Sequence, residues 1–379
     1  MLRIAHVTDC YLPRLGGIEL QVHDLAARQR AAGHDVAVVT ATPRARHDRA
    51  QFDRIDGVPV HRLTVDLPFE LPVHPRAASA MRALLQQSGY DVVHVHAGVV
   101  SPFAFAVAPE VVRSGTAMVV TVHSLWGYLT PVFRLLDRPV GWSRWPAVLS
   151  AVSEVAAGPL QRIVGPDVEV RVLPNGIDPT AWQVDPLPRD PGDVLIVAVM
   201  RLAQRKRPHA LLRMLRRARA QLPSHVRVRA LVIGEGPERR ALQRYLDRHA
   251  MDWVRLTGRY TREQIREVYR RADLFIAPAN LESFGIAALE ARTAGLPVLA
   301  MANSGIREFV TNGVEGLLAA SDTDLADGLV RLARSPELRG RIAVNNRARP
   351  PRFGWDEVLT RTELAYKAAA GLLGRQSKR

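Results

Sequence analysis

Short, almost purely apolar runs alternate with longer stretches of helical periodicity along most of the chain. Runs rich in Val, Ile, Leu and Ala are typical of parallel strands whose two faces are both covered by helices. This alternation predicts a doubly wound α/β architecture. The predicted strands are 2–8, 35–40, 91–96, 117–122, 147–152, 193–199, 227–233, 253–257, 273–277 and 297–301, and the predicted helices are 18–32, 76–88, 103–113, 207–220, 237–250, 261–271 and 284–294.

The alternation is interrupted once, at residues 173–192, which are rich in proline and glycine and should form neither helix nor strand. We therefore predict two Rossmann-like domains, 1–180 and 181–354, that face each other across a cleft. A C-terminal helix at about 355–374 is expected to pack back on the first domain. Because ligands of such sheets bind beyond the carboxyl ends of the strands, the strand-to-helix loops are where chemistry is expected.

Composition narrows the class of protein. Hydrophobic residues make up 47% of the chain and charged residues 23%, as in ordinary globular proteins. The single cysteine, Cys10, excludes an intrachain disulfide framework and a cysteine-based zinc site. No apolar run approaches the roughly 18 residues of a membrane span. The apolar stretch at the start of the sequence is shorter than a signal peptide needs. We expect a soluble, cytoplasmic protein.

The net charge is +15, with 52 basic against 37 acidic residues. Lysine occurs only at Lys206, Lys367 and Lys378, so the excess is arginine scattered over helical segments, mostly as solvated faces. Such an excess also attracts phosphates or an anionic membrane surface. Because no RNA-binding motif, zinc finger or basic zipper is present, no nucleic-acid partner is expected.

The strongest candidate for chemistry is ESFGIAALE at 282–290, which follows strand 273–277 and opens a helix. Free N–H groups and partial positive charge at a helix N-terminus favour a phosphate, and Gly285 removes a Cβ that would keep a ligand from the backbone. Glu282 and Glu290 should lie roughly 9–12 Å apart. That is wider than the ~5–5.5 Å pair of a retaining glycosidase, and it suits two contacts at opposite ends of a long ligand.

Arg201 and Lys206 follow strand 193–199, where a diphosphate would be expected. Lys206 is the only lysine before residue 367 in a chain that otherwise uses arginine. A flexible ammonium beside a guanidinium fork is common at phosphate sites.

In the first half, strand 2–8 leads to Gly16-Gly17, a pair that allows close passage beneath a ligand. A nicotinamide fingerprint is absent, because there is no G-x-G-x-x-G motif and the next strand does not end in an acidic residue. His123 ends strand 117–122 and can donate a hydrogen bond to a substrate hydroxyl or carbonyl. His94 and His96 share one face of a strand, and we predict a core or cleft-lining role for them, without a metal.

Two segments imitate binding motifs. Asp322-Thr323-Asp324 resembles a metal-binding D-x-D, but it precedes a helical stretch and is better interpreted as an N-cap. GEGPE at 234–238 resembles a phosphate loop, but its proline indicates mainly a helix start.

Together these motifs resemble the retaining GT-B glycosyltransferases of family 4, the group 1 glycosyl transferases. The resemblance covers the whole chain and is carried by PRLGGIE at 13–19, DVVHVH at 91–96, VVTVH at 119–123, LPNGID at 173–178, R-L-x-x-x-K at 201–206, GEGPE at 234–238 and ESFGIAALE at 282–290.

The resemblance implies a role for each matching residue. Glu282 would hold hydroxyls of the donor sugar, and Glu290 the ribose hydroxyls. Arg201 and Lys206 would bind the diphosphate. The donor-binding set implied in this way also includes the backbone amides of Phe284, Gly285 and Ile286, with Ser283 beside them, Gly16 and Gly17 near the phosphates, His123 at the sugar, and the backbone at Arg259 and Tyr260 near the base. It further implies retention of anomeric configuration and no metal or other cofactor beyond the nucleotide-sugar co-substrate.

Three departures from the family pattern stand out. Met200 and Arg207 replace glycines that flank the arginine and the lysine. Residues 124–146 are the least typical stretch and carry Trp126, Tyr128, Phe133, Trp142 and Trp145 among arginines. They could form an acceptor pocket, an interfacial membrane anchor, or a helix packing its aromatics inward. Prolines at 131, 139 and 146 argue against one continuous helix here.

The hypothesis that follows is a metal-independent transferase. It would move a hexosyl or N-acetylhexosaminyl group from a nucleoside-diphosphate sugar to a hydroxyl of a lipid, a saccharide or a small molecule. UDP and GDP are the nucleotides that we expect first in the donor. A peripheral contact with the inner face of the membrane is a further expectation. One alternative is a phosphorylase or synthase of the same fold, which would depend on phosphate or a sugar phosphate. Another is a non-catalytic basic binding module, which would ignore nucleotide sugars.

Overall fold

A computed structural model of the chain describes residues 1–45, 48, 50–64, 75–127, 130–188, 190 and 192–376. The chain divides into two compact units. The first comprises Met1–Gly176 and Trp355–Arg379, and the second comprises Ile177–Gly354. Each unit is built around its own sheet.

The first unit contains an eight-stranded sheet in the order β3-β4-β2-β1-β5-β6-β7-β8. β3 runs antiparallel to β4, and the other neighbours are parallel. β5 and β6 are buried along their whole length, as expected for central strands covered on both faces. The strands are β1 (Arg3–Thr8), β2 (Asp35–Thr40), β3 (Phe52–Ile55), β4 (Val58–Arg62), β5 (Val92–Ala97), β6 (Ala117–Val122), β7 (Ala147–Ala151) and β8 (Val170–Val172).

Between the strands of this unit, the described residues form the helices α1 (Gly17–Ala31), α2 (Ala77–Ser88), α3 (Pro102–Ser114), α4 (Thr130–Val140) and α5 (Glu154–Val164). Buried side chains of α2, α3 and α5 enter one apolar cluster with β1, β5, β6 and β7.

The second unit has a six-stranded parallel sheet in the order β11-β10-β9-β12-β13-β14. Its strands are β9 (Asp193–Val199), β10 (Arg227–Ile233), β11 (Val254–Gly258), β12 (Leu274–Ala277), β13 (Val298–Met301) and β14 (Gly316–Ala319). Its helices are α6 (Pro179–Trp182), α7 (Pro208–Arg219), α8 (Arg239–Arg248), α9 (Arg262–Tyr269), α10 (Ile286–Thr293), α11 (Asp322–Arg334) and α12 (Pro336–Ala348). After α12 the chain returns to the first unit, where α13 (Trp355–Gln376) packs against β6 and β7 and beside α1.

The predicted fold class is confirmed, since both units are helix-covered and mainly parallel. The prediction was incomplete for β3, β4, β8 and β14. β8 and β14 are only three and four residues long. At the sheet edge, β3 alternates exposed and half-buried positions, and β4 beside it alternates buried and half-buried ones. Both therefore lack the continuous apolar run that marks a strand buried on both faces.

The expectation that 124–146 would not form one continuous helix agrees with the structure, because α4 ends at Val140 and a separate short helix follows at Trp142–Arg144. The prolines at 131 and 139 nevertheless do not interrupt α4. Pro131 lies in its first turn, where a backbone N–H has no intrahelical acceptor to lose. Position 139 comes one residue before the helix ends, and Pro146 lies beyond it.

Three aromatic residues of this stretch pack inward. Trp126, Phe133 and Trp142 are each less than 10% exposed. Trp126 stacks on Phe133 at 4.0 Å between ring centroids and meets Trp142 edge-on at 6.0 Å. These three side chains therefore belong to the apolar core of the first unit, as the alternative of a helix that packs its aromatics inward predicts. Tyr128 lies outside the described residues. In the part of the chain that the structure describes, no helix has the length and apolarity needed to cross a membrane.

Candidate functional site

The second unit has a topological switch point between β9 and β12. From β9 the chain adds β10 and β11 on one side, and it then crosses to build β12, β13 and β14 on the other. The carboxyl edge of the sheet at a switch point is the usual ligand position in such folds, because the loops that follow the two strands lead away to opposite sides. Lys206 follows β9, and Glu282 follows β12.

Lys206 and Glu282 are in direct contact. The Lys206 Nζ donates to Glu282 Oε2 at 2.5 Å, although 76 residues separate them. The side chains are 34% and 17% exposed, so the pair is partly shielded from water but still open to a ligand. The family resemblance implied a phosphate contact for the lysine and a sugar contact for the glutamate. The structure joins them in one ion pair, which holds the ammonium in place.

The backbone that carries Arg201 is braced by the loop after β10. Leu202 N–H donates to Glu235 O at 2.9 Å, and Glu238 N–H donates to Leu202 O at 3.0 Å. A Cβ at Gly234 or Gly236 would overlap the backbone of the Arg201 loop, so these glycines allow the close approach. The interpretation of 234–238 as mainly a helix start was therefore incomplete. α8 begins at Arg239, and the loop supports Arg201, whose own side chain is exposed.

Gly285 caps α10 with φ of +93°, a left-handed conformation that favours glycine. A Cβ there would lie 2.5 Å from the Ile306 side chain. Backbone conformation and packing therefore both require glycine at position 285, and the ligand access that we predicted for it stays a prediction. Phe284 is 1% exposed and packs edge-on against Phe353, so its backbone is the part that could serve a ligand. α10 begins at Ile286, with half-buried Ser283 three residues before it.

Glu290 is half-buried on α10, in the fifth position of the helix. Burial, with the nearby Glu290 charge as a second cause, raises the pKa of Tyr269 well above its ordinary value. The Tyr269 hydroxyl donates to the carbonyl of Ala287 at 3.4 Å. Arg259 and Tyr260 directly follow β11 at the same sheet edge, with Arg259 exposed and Tyr260 half-buried.

Arg207, which replaces a glycine of the family pattern, keeps a glycine-like backbone with φ of 57°. Its guanidinium donates to Pro278 O at 3.0 Å and to Asn280 Oδ1 at 2.9 Å, in the loop before Glu282. It also forms a bidentate pair with Asp322 at 2.8 and 2.7 Å. Arg207 therefore ties the loop of Lys206 to that of Glu282.

Asp322 is consequently engaged by an arginine, in agreement with setting aside a metal-binding D-x-D. The cap lies one residue earlier than expected. Ser321 Oγ accepts the N–H of Asp324, so Ser321 is the N-cap and the two aspartates occupy the first turn of α11.

In the first unit, the loop after β1 carries Gly16 and Gly17. A Cβ at Gly16 would overlap the Glu19 carboxylate, so this glycine makes room for a side chain of its own helix. The close approach of Glu19 is therefore enough to explain a glycine at position 16, and the space beneath a ligand that we predicted there stays a prediction.

The same loop begins at Asp9, whose Oδ1 accepts the N–H of Phe103 at 2.9 Å at the start of α3. Burial raises the pKa of Asp9 to about 6.

His123 directly follows β6 and is 9% exposed. Its Nε2 lies 2.9 Å from His96 Nδ1, and burial lowers its pKa to about 4, so the ring is neutral at physiological pH. A cavity of about 30 Å³ adjoins His94, His96 and His123, enough for one or two water molecules. The core role predicted for His94 and His96 agrees with their burial. Sequence reasoning missed His6, which pairs with His94 across neighbouring strands, because about 90 residues separate them.

Comparisons with known proteins show the family and the fold of the chain. Residues 183–349 match the family model described as Glycosyl transferases group 1, and residues 15–181 match that of Glycosyltransferase Family 4. The chain is 30% identical to a D-inositol 3-phosphate glycosyltransferase of Frankia alni, over 93% of this chain and 95% of that protein. It is 24% identical to the phosphatidylinositol N-acetylglucosaminyltransferase gpi3 subunit of Schizosaccharomyces pombe, over 95% of this chain and 79% of that one. Among solved structures, Anabaena HepE in complex with UDP and glucose superposes with a TM-score of 0.76 at 19% identity, over 97% of this chain and all of that one.

Proposed function

Because the chain is a glycosyltransferase that belongs to the group 1 glycosyl transferases, we propose that it transfers a sugar from a nucleoside-diphosphate donor, UDP or GDP, to an acceptor hydroxyl. The transfer retains anomeric configuration and needs no metal. The observation that carries the proposal is the Lys206–Glu282 ion pair at the switch point of the second sheet.

Cleavage of a sugar–diphosphate bond builds negative charge on the leaving phosphate. Hydrogen-bond donors and cations that are already in place stabilise this charge without reorganisation. Such stabilisation is commonly the largest single contribution to the lowering of an enzymatic barrier. Lys206 is held by Glu282, the backbone of Arg201 is braced by residues 234–238, and α10 begins beside them with free N–H groups. These groups take the diphosphate, Glu282 takes the sugar hydroxyls and Glu290 the ribose. Gly16, Gly17 and His123 in the first unit remain predicted donor contacts, and so do the backbones of Arg259 and Tyr260.

The ion pair has a second consequence for donor binding. Without the ammonium, Glu282 would present an uncompensated negative charge beside the diphosphate, and like charges at close range repel. Lys206→Ala should therefore lose both a phosphate contact and the neutralisation of Glu282.

The first experiment measures thermal unfolding against UDP, GDP, ADP, TDP and their glucose esters. A ligand at 100 times its dissociation constant stabilises by about 2.7 kcal/mol, which corresponds to about 5–10 °C for a domain of this size. One base should produce this shift in the wild type and in Lys367→Ala, a matched control that removes an exposed lysine of α13. Lys206→Ala should lose it. No shift with any nucleotide would refute a working donor site.

A double variant separates the two roles of Lys206. If neutralisation matters, Lys206→Ala/Glu282→Gln should bind the nucleoside diphosphate more tightly than Lys206→Ala alone. Equal affinity of the two variants would assign Lys206 to the phosphate only.

The acceptor is a hydroxyl of a lipid, a saccharide or a small molecule. The names of the two relatives share an inositol compound, free in one and lipid-linked in the other. We therefore place inositol phosphates and phosphatidylinositol first among acceptors to assay, with hexosyl and N-acetylhexosaminyl donors.

Metal independence and retention are tested in the same assay. Turnover should survive EDTA, and NMR of the first-formed product should show the anomeric configuration of the donor. Release of the free nucleoside diphosphate, without dependence on inorganic phosphate, would exclude the phosphorylase alternative.

A peripheral membrane contact is supported by the exposed face of α4. Val132 and Leu135 are 49% and 62% exposed, and the exposed arginines Arg134 and Arg138 lie on the same helix. Apolar side chains beside cations are typical of helices that lie on anionic membranes. Cosedimentation with phosphatidylglycerol vesicles should fall in Leu135→Glu, whereas equal binding would refute this contact.

A further inference from the structure

We propose that a one-way chain of buried hydrogen bonds in the first unit places the proton of His123 on Nε2 and makes its Nδ1 an acceptor. His96, His6, Gln29 and Tyr366 are then positioning residues for His123. Only the consequence for substrate recognition rests on the proposed function.

The chain begins on three neighbouring strands, β5, β6 and β7. His94 lies on β5, Thr121 on β6 and Ser150 on β7, all at most 2% exposed. Ser150 Oγ lies 3.1 Å from the carbonyl oxygen of Val120, which can only accept, so the serine donates there. A hydroxyl has one proton. Ser150 therefore accepts from Thr121 at 2.7 Å, and Thr121 in turn accepts from His94 Nε2 at 2.7 Å.

Beyond His94 the hydrogen-bonded chain continues through two helices, with Tyr366 on α13 and Gln29 on α1. Because a neutral imidazole has one N–H and one acceptor nitrogen, His94 Nδ1 must accept, and it does so from the Tyr366 hydroxyl of α13 at 3.0 Å. The phenol has then used its proton, so it accepts the amide N–H of Gln29 at 3.0 Å. This bond fixes the amide orientation and turns Gln29 Oε1 toward His6 Nε2, 2.7 Å away.

The last links run back across the sheet. Because Gln29 Oε1 accepts, His6 carries its proton on Nε2, and its Nδ1 accepts from His96 Nε2 at 2.9 Å. His96 Nδ1 then accepts from His123 Nε2 at 2.9 Å. The proton of His123 is thereby assigned to Nε2, and any group that meets Nδ1 has to donate. A sugar hydroxyl can do so, whereas a carbonyl cannot. This is the reverse of the donor role that we expected for His123.

The argument requires neutral histidines, and burial supplies this condition. It lowers the pKa of His6 and His123 to about 4. It also lowers the pKa of His94 and His96 well below the ordinary value, with the other histidines as a second cause.

A metal site is the competing interpretation, since ligand atoms of His6, His94 and His96 lie within 4.8 Å of one another. However, all six ring nitrogens of these residues already have hydrogen-bond partners. A metal held by one nitrogen of each histidine would have to break at least two of those bonds, whereas the hydrogen-bonded chain accounts for every one of them.

The test reads tautomers directly in the whole chain labelled with ¹⁵N-histidine, without any substrate. Two-bond ¹H–¹⁵N correlation spectra distinguish a ring nitrogen that bears a proton from one that does not, and His123→Asn assigns the His123 signal. We expect His123 protonated at Nε2 in the wild type. A proton on Nδ1 would overturn the proposal, as would binding of one zinc ion by His6, His94 and His96 when zinc is added.

Two distant variants test transmission. Tyr366→Phe frees the Gln29 amide to turn over, and Ser150→Ala removes the link to the Val120 carbonyl. Each should mix the tautomers of His123 through the hydrogen-bonded chain. Tyr11→Phe is the matched control, because it removes a buried tyrosine–histidine bond to His23 (2.7 Å) in the same unit and should leave His123 unchanged. An unaltered His123 in folded Tyr366→Phe and Ser150→Ala would overturn the proposal. Because no donor is present, this result is independent of whether the nucleotide site functions.

Discussion

Gly176, in the LPNGID segment, lies against the indole ring of Trp355 at the start of α13. A Cβ at Gly176 would lie 2.5, 2.6 and 2.8 Å from three carbons of that ring. Ordinary contact begins at 3.4 Å, so the ring would have to retreat by about 0.9 Å. It has little room, because Trp355 is 6% exposed and the Arg28 guanidinium lies 5.0 Å from the ring centroid on α1. Gly176 is also held by Gln21, which bonds its N–H at 2.9 Å and its carbonyl at 3.0 Å.

We therefore expect Gly176→Ala to destabilise the first unit by about 2 kcal/mol, the middle of the range for overpacking. The unfolding midpoint should fall by about 4–8 °C. The matched control is Gly371→Ala on α13, where a Cβ meets no described atom within 4 Å. Alanine is favoured over glycine in a helix by roughly 0.5–1 kcal/mol, so this midpoint should rise slightly. Differential scanning calorimetry measures both. A midpoint of Gly176→Ala at or above that of the wild type would refute the packing argument.

Three further predictions concern single residues. Burial raises the pKa of Asp9 in the folded state from an ordinary 3.8 to about 6. Above pH 6 the buried charge therefore lowers the free energy of unfolding by at most about 3 kcal/mol. This loss disappears as the pH falls toward 4, because the folded state then binds a proton at Asp9. Asp9→Asn should therefore raise the unfolding midpoint at pH 8 and not at pH 4; an equal gain at both would contradict the assigned cause. Arg207→Gly and Arg207→Ala both lose the contact with Asp322, but glycine adopts the φ of 57° at about 1 kcal/mol less cost than alanine. The unfolding midpoint of the glycine variant should therefore be about 2–4 °C higher than that of the alanine variant in calorimetry. The same midpoint for both variants would exclude backbone strain at this position. Glu290→Gln should weaken nucleoside-diphosphate binding about 10–100-fold by titration calorimetry, the value of a hydrogen bond to a charged group, and unchanged affinity would remove Glu290 from the ribose.

The elements that could be predicted from sequence are those whose pattern reports burial directly. β5 and β6 are apolar along most of their length because helices cover both faces, and that pattern is local. The loops with candidate chemistry were also predictable, because parallel strands bring their carboxyl ends to one edge. Short or half-exposed strands such as β3 and β14 carry no such pattern and were missed.

The sequence alone also determined the chemical types at the site and their positions after strands, and with them the family. Only the tertiary structure decided which of these groups touch. Lys206 meets Glu282 across 76 residues, and His94 meets Tyr366 across 272. Such pairings depend on the strand order and on the return of α13 to the first sheet. The periodicity of the sequence predicts neither of these two features. In the proposed hydrogen-bonded chain, the proton position of His123 is also decided at a distance, by Ser150 on the neighbouring strand β7 and by Tyr366 on α13, because each hydrogen bond in a buried chain dictates the direction of the next.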